Sequence, residues 1–300
     1  MMLRYNREPN YRIAGPAGEL SVFIPGSHAN ADEKTIASFG DEWTRFNRFE
    51  EQDIRTCGDE YFDVCEGILK GDEIALDLGC GTGRWSAYLS PNVKFIEAVD
   101  PGEAALVAQQ YLKNYPNTRV TQAAVDNLPF ENNSFDFIFS LGVLHHIPDT
   151  GAAIRKLVEK LKPGGHLLLY LYYRFDNRSF LFRALFYLSN LLRLVVSRLP
   201  SSLKQVVCDL LALLVYLPLV ALARIVKKIF GGEFYTQLPL AYYTDKSFYI
   251  MRNDALDRFG TPLEQRFTRH EITAMLKLAG MANIRFSSKQ PYWHLIARKP

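Results

Sequence analysis

Between residues 73 and 173, short apolar runs alternate with stretches of helical spacing. EIALDL (73–78), KFIEAVD (94–100), RVTQA (119–123), FDFIFSL (135–141) and HLLLYLYY (166–173) read as buried strands. Gly83 to Ser90, Glu103 to Asn114 and Gly151 to Leu161 read as helices, the last closed by the breaker KPGG. Near-continuous apolar strands separated by helices predict parallel βαβ units and a doubly wound α/β sheet covered on both faces. Three hundred residues are enough for one large core of this kind.

The alternation stops after residue 173 and resumes near Thr268. There TRHE offers a capping box, Thr268 as N-cap and Glu271 three residues on. The helix that follows ends at Gly280, and NIRFSS (283–288) and YWHLIAR (292–298) form a closing hairpin, so the last strand runs antiparallel. The expected division is an N-terminal helical or irregular cover (1–70), one sheet domain (71–173 with 268–300), and a helical insertion (174–267) acting as a substrate lid.

Gly79-Cys80-Gly81-Thr82-Gly83 follows the first strand and opens a helix. Glycines there let the backbone approach a ligand, and the helix start offers N–H groups. The third glycine comes one residue earlier than in the dinucleotide fingerprint. Asp77, just ahead of the loop, suits a cationic ligand tail and not a pyrophosphate. Asp100 ends the second strand, where an acid can accept both hydroxyls of an adenosine ribose.

ALDLGCGTGRWS, AVD at 98–100, NLPFENNSFDFIFSLGVLHHIPD at 127–149 and LKPGGHLLL at 161–169 resemble the class I S-adenosylmethionine (SAM)-dependent methyltransferases. The resemblance is close over residues 70–173 and looser over 268–299. It implies a seven-stranded, mostly parallel sheet in the order 3-2-1-4-5-7-6, with SAM as cofactor, S-adenosylhomocysteine as product and no metal. It puts Asp77 and Gly79 near the methionine part, with Cys80, Gly81 and Gly83 shaping the loop. Asp100 and Pro101 then sit at the ribose, and Asp126 and Asn127 at the adenine. Leu141 and Gly142 pass close to the methionine moiety.

Methyl transfer to a hydroxyl requires alignment and removal of a proton, and histidine is the usual base near neutral pH. His146 and His145 follow the fourth strand. Either one of them is the base, His146 first, or the pair is structural and satisfies loop carbonyls. Asp149 could orient one of them or cap the next helix. Tyr172, Tyr173 and Arg174 leave the fifth strand as substrate-side residues or as a packed strand end. Arg258, in the polar cluster 251–267, either lines the substrate cleft or takes part in ion pairs. Trp43 and Phe46 either cover the cofactor or anchor the core.

Within the insertion, DLLALLVYLPLVALARIVKK (209–228) is apolar from Leu210 to Ala223. Fourteen residues rise only about 21 Å, short of the roughly 30 Å hydrocarbon core. Pro218 should disturb the helix. Residues 174–228 hold nine basic and two acidic side chains, a net +7, so the rest of the +3 chain carries −4. The segment reads as a hairpin lid, or as a peripheral membrane contact through 180–230 drawn to anionic lipid.

A total of +3, and basic residues interleaved with aliphatics, argue against nucleic acid as partner. SLGVLHH after the fourth strand also lacks the NPPY-like motif of nucleic-acid amino-methylating relatives. Cysteines 57, 65, 80 and 208 form no CxxC, so neither a disulfide scaffold nor a zinc site is expected. MMLRYNREPNYRIAGP has no apolar signal core, and the expected location is the cytoplasm, with or without membrane association. The expected function is methyl transfer to a small-molecule or lipid-linked acceptor, at oxygen before nitrogen. The rivals are other chemistry on a SAM fold and a non-catalytic SAM-binding subunit that docks a partner through its hydrophobic helices. A dimer is compatible with all of these.

Overall fold

The computed structural model describes residues 3–24, 30–231 and 234–300. They form two compact units, one of 3–47, 54–174 and 263–300, the other of 48–53 and 175–262.

The first unit is built on one nine-stranded sheet, ordered β1-β2-β5-β4-β3-β6-β7-β9-β8. Its strands are β1 (Tyr11–Gly15), β2 (Gly18–Val22), β3 (Ile74–Leu78), β4 (Phe95–Asp100), β5 (Thr118–Gln122), β6 (Phe135–Leu141), β7 (Leu161–Tyr170), β8 (Ala282–Phe286) and β9 (His294–Arg298). β3 to β9 reproduce the expected seven-strand order. β9 runs antiparallel to both β7 and β8. The hairpin β1–β2 adds two strands, β2 running parallel to β5. The N-terminal stretch is therefore part sheet and not only helix and loop. Its signal is short alternation on either side of Pro16-Ala17, with Leu20 and Val22 buried.

The helices of this unit are α1 (Glu33–Arg45), α2 (Glu51–Tyr61) from Ile54 onward, α3 (Arg84–Leu89), α4 (Ala104–Leu112), α5 (Thr150–Lys160) and, late in the chain, α10 (Arg269–Leu278). Apolar side chains of α5 and α10 share a buried cluster with β3, β6, β7 and β9, while α3 and α4 pack in another with β4 and β5. Neighbouring residues Ala98 and Val99 fall in different clusters, so the two clusters cover opposite faces of the sheet. α10 begins with the capping box read from TRHE, Thr268 and Glu271 each accepting from the other's backbone N–H.

The second unit contains α6 (Phe180–Val196), α7 (Ser201–Leu211), α8 (Leu217–Phe230) and α9 (Phe248–Gly260). α7 and α8 are joined without a break by a π-helical turn over Ala212–Tyr216. Pro218 lies in the first turn of α8 and supplies no N–H, and the helix widens just ahead of it. The helical run Ser201–Phe230 is 30 residues long, with a mean hydropathy of 2.5 in its most apolar window. By length and composition it could cross a membrane, which the fourteen-residue apolar stretch alone could not.

Candidate functional site

A cleft opens at the C-terminal ends of β3, β4 and β6 in the first unit. That is the edge of a doubly wound sheet where ligands bind. Its floor is the glycine loop. Gly79 and Cys80 donate to the Val99 carbonyl, which folds the loop back against β4. Gly79 and Gly81 have φ of 75° and 53°, in the left-handed region. A Cβ on Gly79 would stand 2.5 Å from Val143 Cγ1, and one on Gly81 would stand 3.0 Å from Trp43 Nε1. Both positions require glycine for conformation and for space. Gly83 is the N-cap of α3.

Asp100 lies beside the loop and lines the cleft. Its Oδ2 accepts from Gly81 N at 3.0 Å and its Oδ1 from Gly102 N at 2.9 Å. Burial pushes this carboxyl up to about 6, against the opposing pull of those two N–H groups. Pro101, Leu141 and Gly142 also line the cleft, as does Cys80, whose thiol burial raises well above its ordinary range. Thr82 is a buried lining residue whose Oγ has no hydrogen-bond partner.

Two groups of expected cofactor contacts lie elsewhere. Asp77 is buried and is not among the lining residues; its Oδ2 accepts from Ser86 Oγ at 2.7 Å. Burial pushes it to about 7, with Ser86 opposing and the nearby Asp100 charge adding to the rise. Asp126 and Asn127 do not line the cleft either. Asp126 accepts from Asn30 N. Asn127 braces its own turn through Ala124 N and donates to the Phe23 carbonyl. Ala123, Ala124 and Val125 form the wall at that point.

The two histidines separate. His146 lines the cleft and His145 does not. His146 Nδ1 is 2.7 Å from the Leu263 carbonyl, a contact that needs the proton on Nδ1 and leaves the lone pair of the neutral ring on Nε2. Phe39 meets the same ring edge-on at 4.9 Å. His145 is fully buried, stacked on Tyr172 at 3.7 Å, and its Nδ1 accepts from Tyr172 N. Burial, then the neighbouring His146 and Arg266, hold its pKa well below the usual histidine range. Asp149 caps α5 by accepting from Ala152 N at 2.8 Å.

The strand-end residues Tyr172, Tyr173 and Arg174 do not line the cleft. β7 ends at Tyr170, and the chain then pairs with the segment around Phe267. Tyr173 packs edge-on against Tyr292 and Trp293. Arg174 pairs with Glu271 at 2.9 Å and donates to the Arg266 carbonyl. Arg258 belongs to the second unit, where it lies over the Phe186 ring. Of the two N-terminal aromatics, Trp43 lines the cleft and Phe46 is a core residue. Thr35, Ile36 and Phe39 of α1, with Arg84 over the Trp43 ring, complete the wall. Ile36, Phe39 and Trp43 recur at spacings of three and four, which was the available signal for a helix face turned inward. Gln265 was not foreseen: its N–H donates to the His145 carbonyl and its side chain to that of Ile147, steadying the histidine loop.

A methyltransferase-domain family profile matches residues 76–169. A ubiquinone biosynthesis O-methyltransferase of Marinobacter nauticus is 31% identical over 168 residues, which is 52% of this chain and 68% of that protein. A demethylmenaquinone methyltransferase of Staphylococcus aureus is 35% identical over 103 residues, 33% of this chain and 42% of that one. A tRNA U34 carboxymethyltransferase of Pseudoalteromonas atlantica is 36% identical over 99 residues, 31% of this chain. The chain thus spans 30% and 42% of the length of two of these curated relatives. The solved structure of a Bordetella parapertussis protein shares the fold, with a TM-score of 0.50 at 16% identity, over 87% of this chain and 79% of that one.

Sheet order and glycine loop together define a Rossmann-like domain of the methyltransferase type. The chain belongs to the class I SAM-dependent methyltransferase family. The cleft fits the cofactor this family implies. It has a backbone cradle that a Cβ would fill, a buried carboxylate on its wall, and a buried hydroxyl at Thr82 without a partner.

Proposed function

We propose that the chain methylates a hydroxyl oxygen of an apolar, quinone-like or lipid-like small molecule, with His146 as general base. The observation that carries this reading is the position of His146 on the same cleft as the glycine loop and Asp100. SAM, when bound, supplies an electrophilic methyl on a sulfonium, open to in-line displacement. Asp100 would accept hydrogen bonds from the ribose hydroxyls, and the backbone from Gly79 to Gly83 would receive the methionine end. Leu263 holds the His146 ring through Nδ1. Nε2 would take the acceptor's hydroxyl proton as the methyl–sulfur bond gives way to the methyl–oxygen bond, leaving S-adenosylhomocysteine, and would release the proton to solvent afterwards. Ile36, Phe39, Trp43, Val143 and Ile147 give the cleft an apolar wall that excludes water and suits an aromatic or isoprenoid acceptor. Two relatives named for ubiquinone biosynthesis and demethylmenaquinone support the acceptor class.

Incubation with methyl-labelled SAM tests this. Label should move to a prenylated catechol or hydroquinone and not to the same compound with its hydroxyls already methylated. Transfer only to an amine favours nitrogen chemistry. SAM binding with no transfer to any apolar acceptor, relieved by a second protein, makes the chain a cofactor-binding subunit instead.

A further inference from the structure

The outer surface of the second unit has the wrong residues for a water-facing surface. Of 23 large hydrophobic side chains that are exposed among the described residues, 19 lie between Phe180 and Phe234. The run Ser201–Phe230 buries a stripe of mostly small residues, Cys208, Ala212, Val220 and Ala223, with Tyr216 among them. Its large aliphatics point outward, Leu214 and Ile229 each 67% exposed. A helix built to sit on an aqueous domain does the reverse, since burial of a leucine gains more than burial of an alanine. On α6, Leu185, Leu188, Leu192 and Val195 recur at spacings of three and four and form a second exposed stripe.

Charge decides what covers this face. Residues 174–228 carry +7, and Arg183, Arg198 and Lys228 are exposed. A second copy of the chain would bring the same sign, whereas anionic lipid supplies the opposite one. We infer that the outward faces of α6 and of the α7–α8 run form an in-plane docking surface for an anionic lipid bilayer.

In-plane seating follows from the anchors on the opposite side of the run. Asp209 forms a two-pronged pair with Arg252 of α9, at 3.0 and 2.9 Å. Arg224 donates to the Thr244 carbonyl at 2.8 Å. On α6, the buried Arg193 donates to the carbonyls of Thr261 and Pro262. A spanning helix needs lipid or a membrane-embedded partner around its whole circumference. Here one side is fastened by charged and polar groups to the rest of the second unit, so only the other side is available to enter the interface. The inference concerns the surface alone and stands whichever atom the enzyme methylates.

Flotation of the full chain with vesicles tests it. The chain should float with phosphatidylcholine vesicles containing phosphatidylglycerol, float less with phosphatidylcholine alone, and partly release at high salt. Leu188→Gln, Leu192→Gln, Leu214→Gln and Ile225→Gln together should cut the floated fraction by at least about tenfold, with SAM affinity and thermal midpoint kept. Should that variant misfold, Arg183→Glu, Arg198→Glu and Lys228→Glu together must produce the same loss. Absence of flotation, or flotation indifferent to both variants, overturns the inference. So does a dimer in solution that the leucine variant dissociates while vesicles have no effect. Resistance of the membrane-bound chain to an alkaline carbonate wash overturns in-plane seating in favour of a span.

Discussion

Asp100 lines the cleft and shapes its loop, one carboxylate accepting from the N–H groups of Gly81 and Gly102. Asp100→Ala should therefore weaken SAM binding at least about tenfold, or 1.4 kcal/mol, in a calorimetric titration. Unchanged affinity would mean that the ribose lies elsewhere. Asp77 and Asp100 rise on folding to about 7 and about 6, because both are buried. Between about pH 4 and pH 7 the folded chain then holds protons that the unfolded chain has released, so stability without ligand falls as pH rises through that window. The thermal midpoint should drop from acid toward neutral pH, and Asp77→Asn should flatten the slope. Cofactor affinity should move the other way, growing as Asp100 ionises near pH 6. A pH-independent affinity would contradict that role. His146→Gln should lower kcat by roughly 10²- to 10⁴-fold with SAM affinity nearly unchanged. His145→Gln, in a site that is fully buried, should instead lower stability, and the pair of thermal melts separates base from packing residue.

The elements that were legible are those whose pattern reports their surroundings. β3, β4 and β6 are buried on both faces, so their apolar runs declared a parallel sheet, and TRHE declared the start of α10. Thr268→Ala removes one half of that box and should cost about 1 kcal/mol in chemical denaturation. Gly81→Ala meets both a left-handed backbone and the Trp43 ring, and should weaken cofactor binding more than it lowers the melting point. What stayed hidden depended on contacts distant in sequence. Tyr172 and Tyr173 continue the apolar rhythm of β7, yet the chain leaves the strand at Tyr170, and Tyr173 and Arg174 meet residues nearly a hundred positions later. The inward face of α1 has an ordinary amphipathic pattern, and nothing local distinguishes a cleft wall from a core. The short hairpin β1–β2 is only partly buried and lacks the long apolar run by which the central strands were found.

Across the whole molecule, the cofactor cleft lies within one compact unit and the apolar surface within the other. Scanning calorimetry should accordingly resolve two transitions. S-adenosylhomocysteine at about one hundred times its dissociation constant should stabilise the first unit by about 2.7 kcal/mol and leave the second in place. A shift of both together would show that they unfold as one. The sheet order also imposes a timetable on synthesis. β9 lies between β7 and β8, so the open edge of β7, complete at residue 170, waits for residues from 294 onward. At ribosomal speeds those intervening residues take about 6–25 s. Throughout that interval a bare strand edge and three greasy helices are exposed on the same nascent chain, which is when this protein most needs a chaperone or a lipid surface at hand.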